Sequence, residues 1–288
     1  MGGSGIAVVM DSSGYLPRDM ADAHHITVIP LYVVYPDGRR EEDGSIEPGP
    51  YFEALGRSAE LPTTAPATPE EFMAVYRPLL AEGKEVVSIH ISSALSETCN
   101  NARQAAAALV DEGGSRIHVV DSASGAGPIG LMALAAARRV AEGGDVVDVV
   151  NIVGEVRAES RLWFSLDTLE YLRRGGRLGG AAAWMGTTLK IKPILSVGSQ
   201  ITAVERVRTW DKALDRMVEF GRKLHETGAE AWFLHYAANK DDADLVAERL
   251  ADVFWRPPEF VTPVGAVVGT HLGPRVIGVG GCPARFFE

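Results

Sequence analysis

The sequence predicts an α/β protein of two domains: a Rossmann-like domain with a parallel sheet over residues 1–160, and an α+β domain over residues 161–288. In the first half, short apolar runs flanked by turn residues recur, as expected for strands buried on both faces of a parallel sheet. Helix-period segments alternate with these runs, which is the pattern of βαβ units. After residue 159 this alternation gives way to a hairpin and a mixture of strands and helices.

In the first half, strands are predicted at residues 5–10, 26–34, 85–91 and 116–120, and helices at residues 100–110 and 129–141. A further helix is expected from Pro69. Thr68 and Glu71 have the spacing of a capping box, and proline is favoured at the first helical position.

In the second half, residues 161–166 predict a strand, and residues 193–197 and 201–206 predict a hairpin around a Gly-Ser-Gln turn. Helices are expected at residues 211–226 and 241–254. They alternate with strands predicted at residues 231–236, 264–268 and 276–279.

The composition and charge of the chain limit the classes of partner that are expected. The chain has 288 residues, of which 46% are hydrophobic, and a net charge of −10 without a run of Lys or Arg. Nucleic acid and anionic membrane surfaces are therefore not expected as main partners, although transient membrane contact is compatible with this composition. The sequence has no secretory signal or run of 18 apolar residues, and Cys99 and Cys282 fit neither a metal motif nor a disulfide framework. A cytoplasmic, reduced location is expected.

Polar residues follow the first predicted strand, at the end of the sheet where open α/β sheets bind ligands. Asp11 is the candidate here, and its alternative role is to turn the chain and cap the next helix. Haloacid-dehalogenase-like phosphatases place a nucleophilic Asp at such a position. They require a second Asp where this chain has Ser13.

Hydroxyl groups on two loops are candidate anion ligands. Thr63 and Thr64 lie on an extended loop framed by Pro62 and Pro66. Ser93 lies where a strand leads into a helix, and the free N–H groups of a helix start favour an anion. Local capping and backbone hydrogen bonds are the alternative roles of these hydroxyls.

Two candidates lie in the second half. Arg177 follows a Gly-Gly helix end, so capping leaves its guanidinium free for a phosphate or carboxylate. His271 precedes a Gly273-Pro274 turn, although a lone histidine is more often a satisfied core residue. The sequence contains no histidine and acid pair with metal-ligand spacing, so neither metal nor cofactor is predicted.

Together these segments resemble the DegV family, which includes the FakB subunits of bacterial fatty acid kinase. The resemblance runs nearly end to end and depends on short motifs in a fixed order: Asp11-Ser12-Ser13, Pro62-Thr63-Thr64, Ser92-Ser93 with Leu95-Ser96 and Asn100, Asp121-Ser122, Leu169-Glu170-Tyr171-Leu172 to Gly176-Arg177, Trp184-Met185-Gly186 with Leu189-Lys190 and Lys192-Pro193, Val207-Arg208-Thr209, and His271-Leu272-Gly273. The chain departs from the family pattern at Ala65, Glu97, Cys99 and Arg275.

The resemblance implies a two-domain fold that buries a long-chain fatty acid and presents its carboxylate to a partner kinase. It implies that Thr63, Thr64, Ser93 and His271 hold the carboxylate and that Arg177 serves where the kinase acts. The chain has no GxxxxGK[ST] loop, so the chemistry is expected on the partner. Two alternatives stay open: a stand-alone hydrolase or phosphatase that uses Asp11 or Ser93, and a lipid-responsive regulator without a kinase.

Overall fold

The computed structural model describes residues 5–58, 60–184 and 191–288. Part of one family motif, at Met185, Gly186, Leu189 and Lys190, lies outside these residues. The strands are β1 (Ile6–Asp11), β2 (Ile26–Ile29), β3 (Tyr32–Val34), β4 (Arg40–Glu42), β5 (Thr63–Ala65), β6 (Glu85–His90), β7 (Ile117–Asp121), β8 (Arg161–Leu166), β9 (Lys192–Val197), β10 (Ile201–Val207), β11 (Ala231–Tyr236), β12 (Phe260–Pro263) and β13 (Val276–Cys282).

The helices alternate with these strands through most of the chain. They are α1 (Arg18–Ala23), α2 (Pro48–Arg57), α3 (Pro69–Ala81), α4 (Thr98–Ala108), α5 (Gly127–Ala141), α6 (Val146–Glu159), α7 (Glu170–Arg174), α8 (Trp210–Glu226), α9 (Lys240–Phe254) and α10 (Ala266–Leu272). Within the described ranges, no helix combines the length and the apolar character needed to cross a membrane.

In the part of the chain that the structure describes, three sheets organise the fold. The first is parallel, with the order β2-β1-β6-β7. The second has the order β10-β9-β8-β13-β11-β12 and is antiparallel except for the β11–β12 pair. A small antiparallel sheet, β4-β3-β5, lies beside them. The predicted fold class is confirmed, and the predicted domain boundary near residue 160 stays a prediction.

Helix α5 packs between the two large sheets. Its residues from Gly127 to Ala137 are all buried, as expected for a helix that is apolar on every side. Gly127 is required at the contact with the second sheet, because a Cβ there would lie 2.2 Å from Phe233 Cε2. The helix thereby joins both sheets into one continuous interior.

Several predicted elements are confirmed, including the 193–206 hairpin and the helix that begins at Pro69. In the capping box of α3, the Glu71 N–H donates to Thr68 Oγ1 at 3.2 Å, and the Thr68 N–H donates to Glu71 Oε2 at 2.7 Å. Local residues alone supply these bonds. Sequence reasoning could therefore place this helix start.

Two strand predictions were wrong. The run 26–34 forms two strands in different sheets, because the chain breaks at Pro30, which has no N–H to donate to a ladder. The run 264–268 is not a strand, and α10 begins at Ala266. The Val267 N–H at the start of this helix donates to Asp43 Oδ1 at 2.9 Å, so a residue 224 positions away caps it.

Candidate functional site

A largely apolar cavity lies between the second sheet and α10. It has about 860 Å³ of empty space, and this volume includes the part that is open to solvent. Its apolar lining comes from both halves of the chain: Leu31, Ile91, Leu95, Ala126, Leu162, Phe164, Leu172, Val197, Ile201, Val264, Val267, Val268, Leu272 and Val276. Such a lining provides affinity for an aliphatic ligand through the removal of apolar surface from water.

Three polar side chains lie at one end of this cavity, which we call the mouth. Thr64, Arg177 and His271 line the cavity, and the same three also line an adjoining surface pocket. The Thr64 hydroxyl lies 2.9 Å from His271 Nε2. The mouth therefore joins the apolar interior to the outer surface.

Local structure explains why these groups meet. Thr64 is the central residue of β5 and pairs with Val33 of β3. His271 lies in the last turn of α10, and Tyr51 Oη of α2, 2.5 Å from Thr270 Oγ1, links that helix to the first half. Gly175 lies against the imidazole, where a Cβ would be 2.1 Å from His271 Nδ1. Glycine at position 175 therefore permits the close approach of α7 to the histidine.

His271 is neutral at pH 7. Burial first, and the nearby Arg177 second, lower the pKa of the imidazole to about 4. Its Nδ1 has no hydrogen-bond partner among the described residues. A neutral imidazole beside a hydroxyl can donate to an oxygen of a ligand without pairing it with a full positive charge.

Arg177 is exposed and lies across the mouth. Its Nε donates to the Leu95 carbonyl at 3.2 Å and its Nη1 donates to the Gly175 carbonyl at 2.6 Å. These bonds hold the guanidinium between the loop after β6 and the end of α7. Its charge is therefore placed at the boundary between the cavity and the solvent.

The other two predicted carboxylate ligands lie elsewhere. Thr63 is exposed and lines the surface pocket only, because successive residues of a strand face opposite sides. Ser93 does not line the cavity, and its hydroxyl donates to Asp121 Oδ2 at 2.6 Å. Their roles in carboxylate binding stay predictions.

Asp11 belongs to a buried polar network. Its Oδ2 accepts from the Ile91 N–H at 2.8 Å and lies 3.2 Å from His90 Nδ1, and His90 Nε2 lies 2.7 Å from Ser88 Oγ. The order Ser–His–Asp resembles a hydrolase triad. However, all three side chains are completely buried, and Ser88 Oγ also bonds Tyr76 Oη at 2.8 Å. The network therefore joins β1, β6 and α3 as a structural element.

Several cavity residues were not predicted as site residues from the sequence, among them Ser96, His235 and Gly278. A serine close to Ser93 does not by itself indicate a second ligand. A histidine or glycine inside an apolar strand is interpreted as a core residue. Gly278 leaves space in the cavity wall, since the nearest atoms to a Cβ there, Phe164 Cβ and Leu162 Cδ1, would lie 3.4 and 3.6 Å away.

The departures from the family pattern lie away from the cavity lining, which includes neither Ala65 nor the three residues described next. Arg275 donates to Asp242 Oδ2 at 3.1 Å and lies over the Trp210 ring. Cys99 is buried in α4, and Glu97 is exposed and accepts from Asn100 Nδ2. None of the three contributes to the apolar wall described above.

Comparison with known proteins identifies the same architecture. The model of the DegV family matches residues 5–284. A DegV domain-containing protein of Streptomyces coelicolor is 37% identical over 280 residues, covering 95% of this chain and 97% of that protein.

Solved structures agree with this match. A DegV family protein from Thermus thermophilus, described by its fatty acid binding, superposes with a TM-score of 0.87 at 33% identity, covering 96% of this chain and 99% of that one. DegV from Bacillus subtilis, described as a fatty acid binding protein, gives a TM-score of 0.85 at 32% identity and covers 96% and 98% of the two chains.

Proposed function

Because this chain belongs to the DegV family, we propose that it binds one long-chain fatty acid and presents its carboxylate to a partner kinase. The observation that carries the proposal is the shape of the site: an apolar cavity whose mouth is lined by Thr64, Arg177 and His271. A fatty acid has the matching distribution of apolar chain and polar head.

The apolar lining supports the acyl part of the proposal. Burial of about 15 methylene groups at about 0.8 kcal/mol each contributes roughly 12 kcal/mol, from which the free energy of association and of chain ordering is subtracted. The T. thermophilus and B. subtilis proteins, which are described as binding fatty acids, support the same reading. Affinity therefore comes mainly from the tail.

The mouth supports the placement of the head group. A desolvated carboxylate needs hydrogen-bond donors. The Thr64 hydroxyl and the His271 imidazole offer neutral donors 2.9 Å from each other, and Arg177 adds charge at the solvent side. A carboxylate held mainly by neutral donors keeps an oxygen free to attack a phosphoryl group.

The kinase step is supported by the exposed position of Arg177 and by the lack of a GxxxxGK[ST] loop in the sequence. A guanidinium forms paired hydrogen bonds with phosphate and carboxylate oxygens. A cytoplasmic location is part of the proposal, and it agrees with Cys99 and Cys282 being buried free thiols.

The hydrolase or phosphatase alternative has less support. Asp11 is completely buried and accepts bonds from Ser13, His90 and Ile91. Ser93 donates to a carboxylate, and no hydrogen bond joins it to a histidine in the described ranges. Neither side chain is placed to attack a substrate in the cavity.

Extraction of lipid from the purified protein tests the proposal. We expect about one long-chain fatty acid per chain by mass spectrometry after denaturation, and thermal stabilisation of delipidated protein by added palmitate or stearate. Recovery of no acyl species, together with no stabilisation, would show that the cavity has another ligand. A cognate kinase with ATP then distinguishes the kinase system from a lipid-responsive regulator, which would yield no acyl phosphate.

A further inference from the structure

His235 of β11 is a polar residue in the cavity lining whose role is not explained by the proposed function. Its side chain is buried, with 2% of the residue exposed. The rings of Tyr15, Phe233 and Phe260 surround it, with centroids at 6.1, 5.2 and 5.8 Å. The Tyr15 hydroxyl is engaged elsewhere, with the Val268 N–H at 3.0 Å and with Asp43.

Hydrogen bonds define the tautomer of this histidine. Its Nδ1 lies 3.2 Å from the carbonyl oxygen of Thr262, which can only accept. Nδ1 also lies 3.0 Å from Thr262 Oγ1, and that hydroxyl already donates its proton to the Tyr15 carbonyl at 3.0 Å. Both oxygens therefore require a proton on Nδ1, and burial, which lowers the pKa to about 4, keeps the ring neutral.

The second ring nitrogen is consequently an acceptor. His235 Nε2 is buried and has no hydrogen-bond partner among the described residues. A buried acceptor without a donor is unfavourable, and most such groups in folded proteins are paired. No donor among the described residues reaches this nitrogen, so a donor that enters with the ligand or with solvent would satisfy it.

We propose that His235 Nε2 accepts a hydrogen bond from a hydroxyl group on the acyl chain, so that the cavity favours a hydroxy fatty acid. This inference rests on the proposed function and specifies its substrate class. Among common acyl modifications, the hydroxyl group is a donor, whereas double bonds, methyl branches, ketones and epoxides are not. A hydroxyl buried elsewhere in the apolar lining would lose its bonds to water without replacement.

Competition binding to delipidated protein tests this inference. The probes are stearate and a series of hydroxystearates that differ in the carbon bearing the hydroxyl. We expect at least one isomer to bind as tightly as stearate or more tightly. His235→Phe should lower the affinity for that isomer relative to the affinity for stearate by at least about fivefold. His118→Phe, on β7 and outside the cavity, is the matched control and should change neither.

A measurement on the unmodified protein keeps the inference testable even if the His235→Phe variant does not fold. The ¹⁵N resonance of His235 Nε2 should shift towards the value of a protonated nitrogen when the favoured isomer binds, and should stay unchanged with stearate. The same shift in delipidated protein would show that a resident water donates to Nε2, and would overturn the inference.

The outcomes separate the two proposals. If stearate binds but every hydroxystearate binds more weakly in both the parent and His235→Phe, this inference is overturned and fatty acid binding stands. If neither stearate nor any isomer binds, both are overturned.

Discussion

Thr64 and His271 are 207 residues apart in the sequence, yet the Thr64 hydroxyl lies 2.9 Å from His271 Nε2. This bond connects the small sheet to the end of α10 at the mouth of the cavity. In the structure the two groups bond each other, and under the proposed function both would bond the carboxylate of the ligand. The pair is therefore positioned before a ligand arrives.

Thr64→Val should weaken fatty acid binding by about tenfold, because it removes one donor from a desolvated carboxylate. Isothermal titration of delipidated protein measures this loss. Thr63→Val is the matched control on the same strand, and its exposed position predicts a smaller effect. Equal losses in both variants would place Thr63 in the head-group site as well.

Gly278 and Gly280 lie two residues apart on β13, and substitution should affect ligand binding at the first and stability at the second. Gly278→Ala should keep the fold, since its Cβ finds ordinary contacts, whereas Gly278→Leu should fill the cavity and shift binding towards shorter acyl chains. Gly280→Ala should lower the melting temperature, because its Cβ would lie 2.3 Å from Phe233 Cζ. Chain-length profiles and thermal melts measure the two effects, and an unchanged profile in Gly278→Leu would contradict the assigned wall.

Stability should decrease as the pH falls from 7 to 5. The pKa of His235 is about 4 in the folded chain and about 6.5 when unfolded, so the unfolded state binds the proton first. This histidine alone should remove roughly 2 kcal/mol over that interval. Asp43, whose pKa burial raises to about 6, acts in the opposite direction.

Urea unfolding of delipidated protein at the two pH values isolates the histidine contribution, because Asp43 is common to every variant. His235→Phe should lose less stability on acidification than the parent. Identical pH dependence in the two proteins would mean that His235 titrates normally.

Arg177→Ala should retain bound fatty acid through purification but form acyl phosphate at least about tenfold more slowly with a cognate kinase and ATP, since the guanidinium is placed for phosphate oxygens. Arg174→Ala is the control, because Arg174 lines the same surface pocket and pairs with Glu170 at 2.8 Å. Loss of the fatty acid with normal turnover of added substrate would reassign Arg177 to the head-group site.

The sequence predicted the elements whose signals are local. The α3 cap is an example, since Thr68 and Glu71 satisfy one another within four residues. The α10 helix was missed because its cap, Asp43, lies 224 residues from Val267. An apolar run of five residues is compatible with either a strand or a helix when such a partner is unknown.

The site was predicted in part for the same reason. Residue chemistry and family resemblance indicated Thr64, Arg177 and His271. The side of β5 that faces the cavity depends on its pairing with β3, so Thr63 and Thr64 could not be distinguished. The role of His235 depends on the contact of its Nδ1 with Thr262, which lies on another strand, whereas in the sequence alone an interior histidine is typical of a core residue.

The long separation between Thr64 and His271 has a consequence for biosynthesis. At roughly 5–20 residues per second, a ribosome needs about 10–40 s to extend the chain from one to the other. The hydrogen bonds of Tyr51 to Thr270 and of Asp43 to Val267 likewise form only after the end of the chain is synthesised. The nascent chain must therefore keep the lining from its first half, such as Leu31 and Ile91, uncovered until synthesis is nearly complete. Under the proposed function, lipid loading is a step that follows translation, and shielding of that surface by chaperones is expected to set the fraction of newly made protein that can bind lipid.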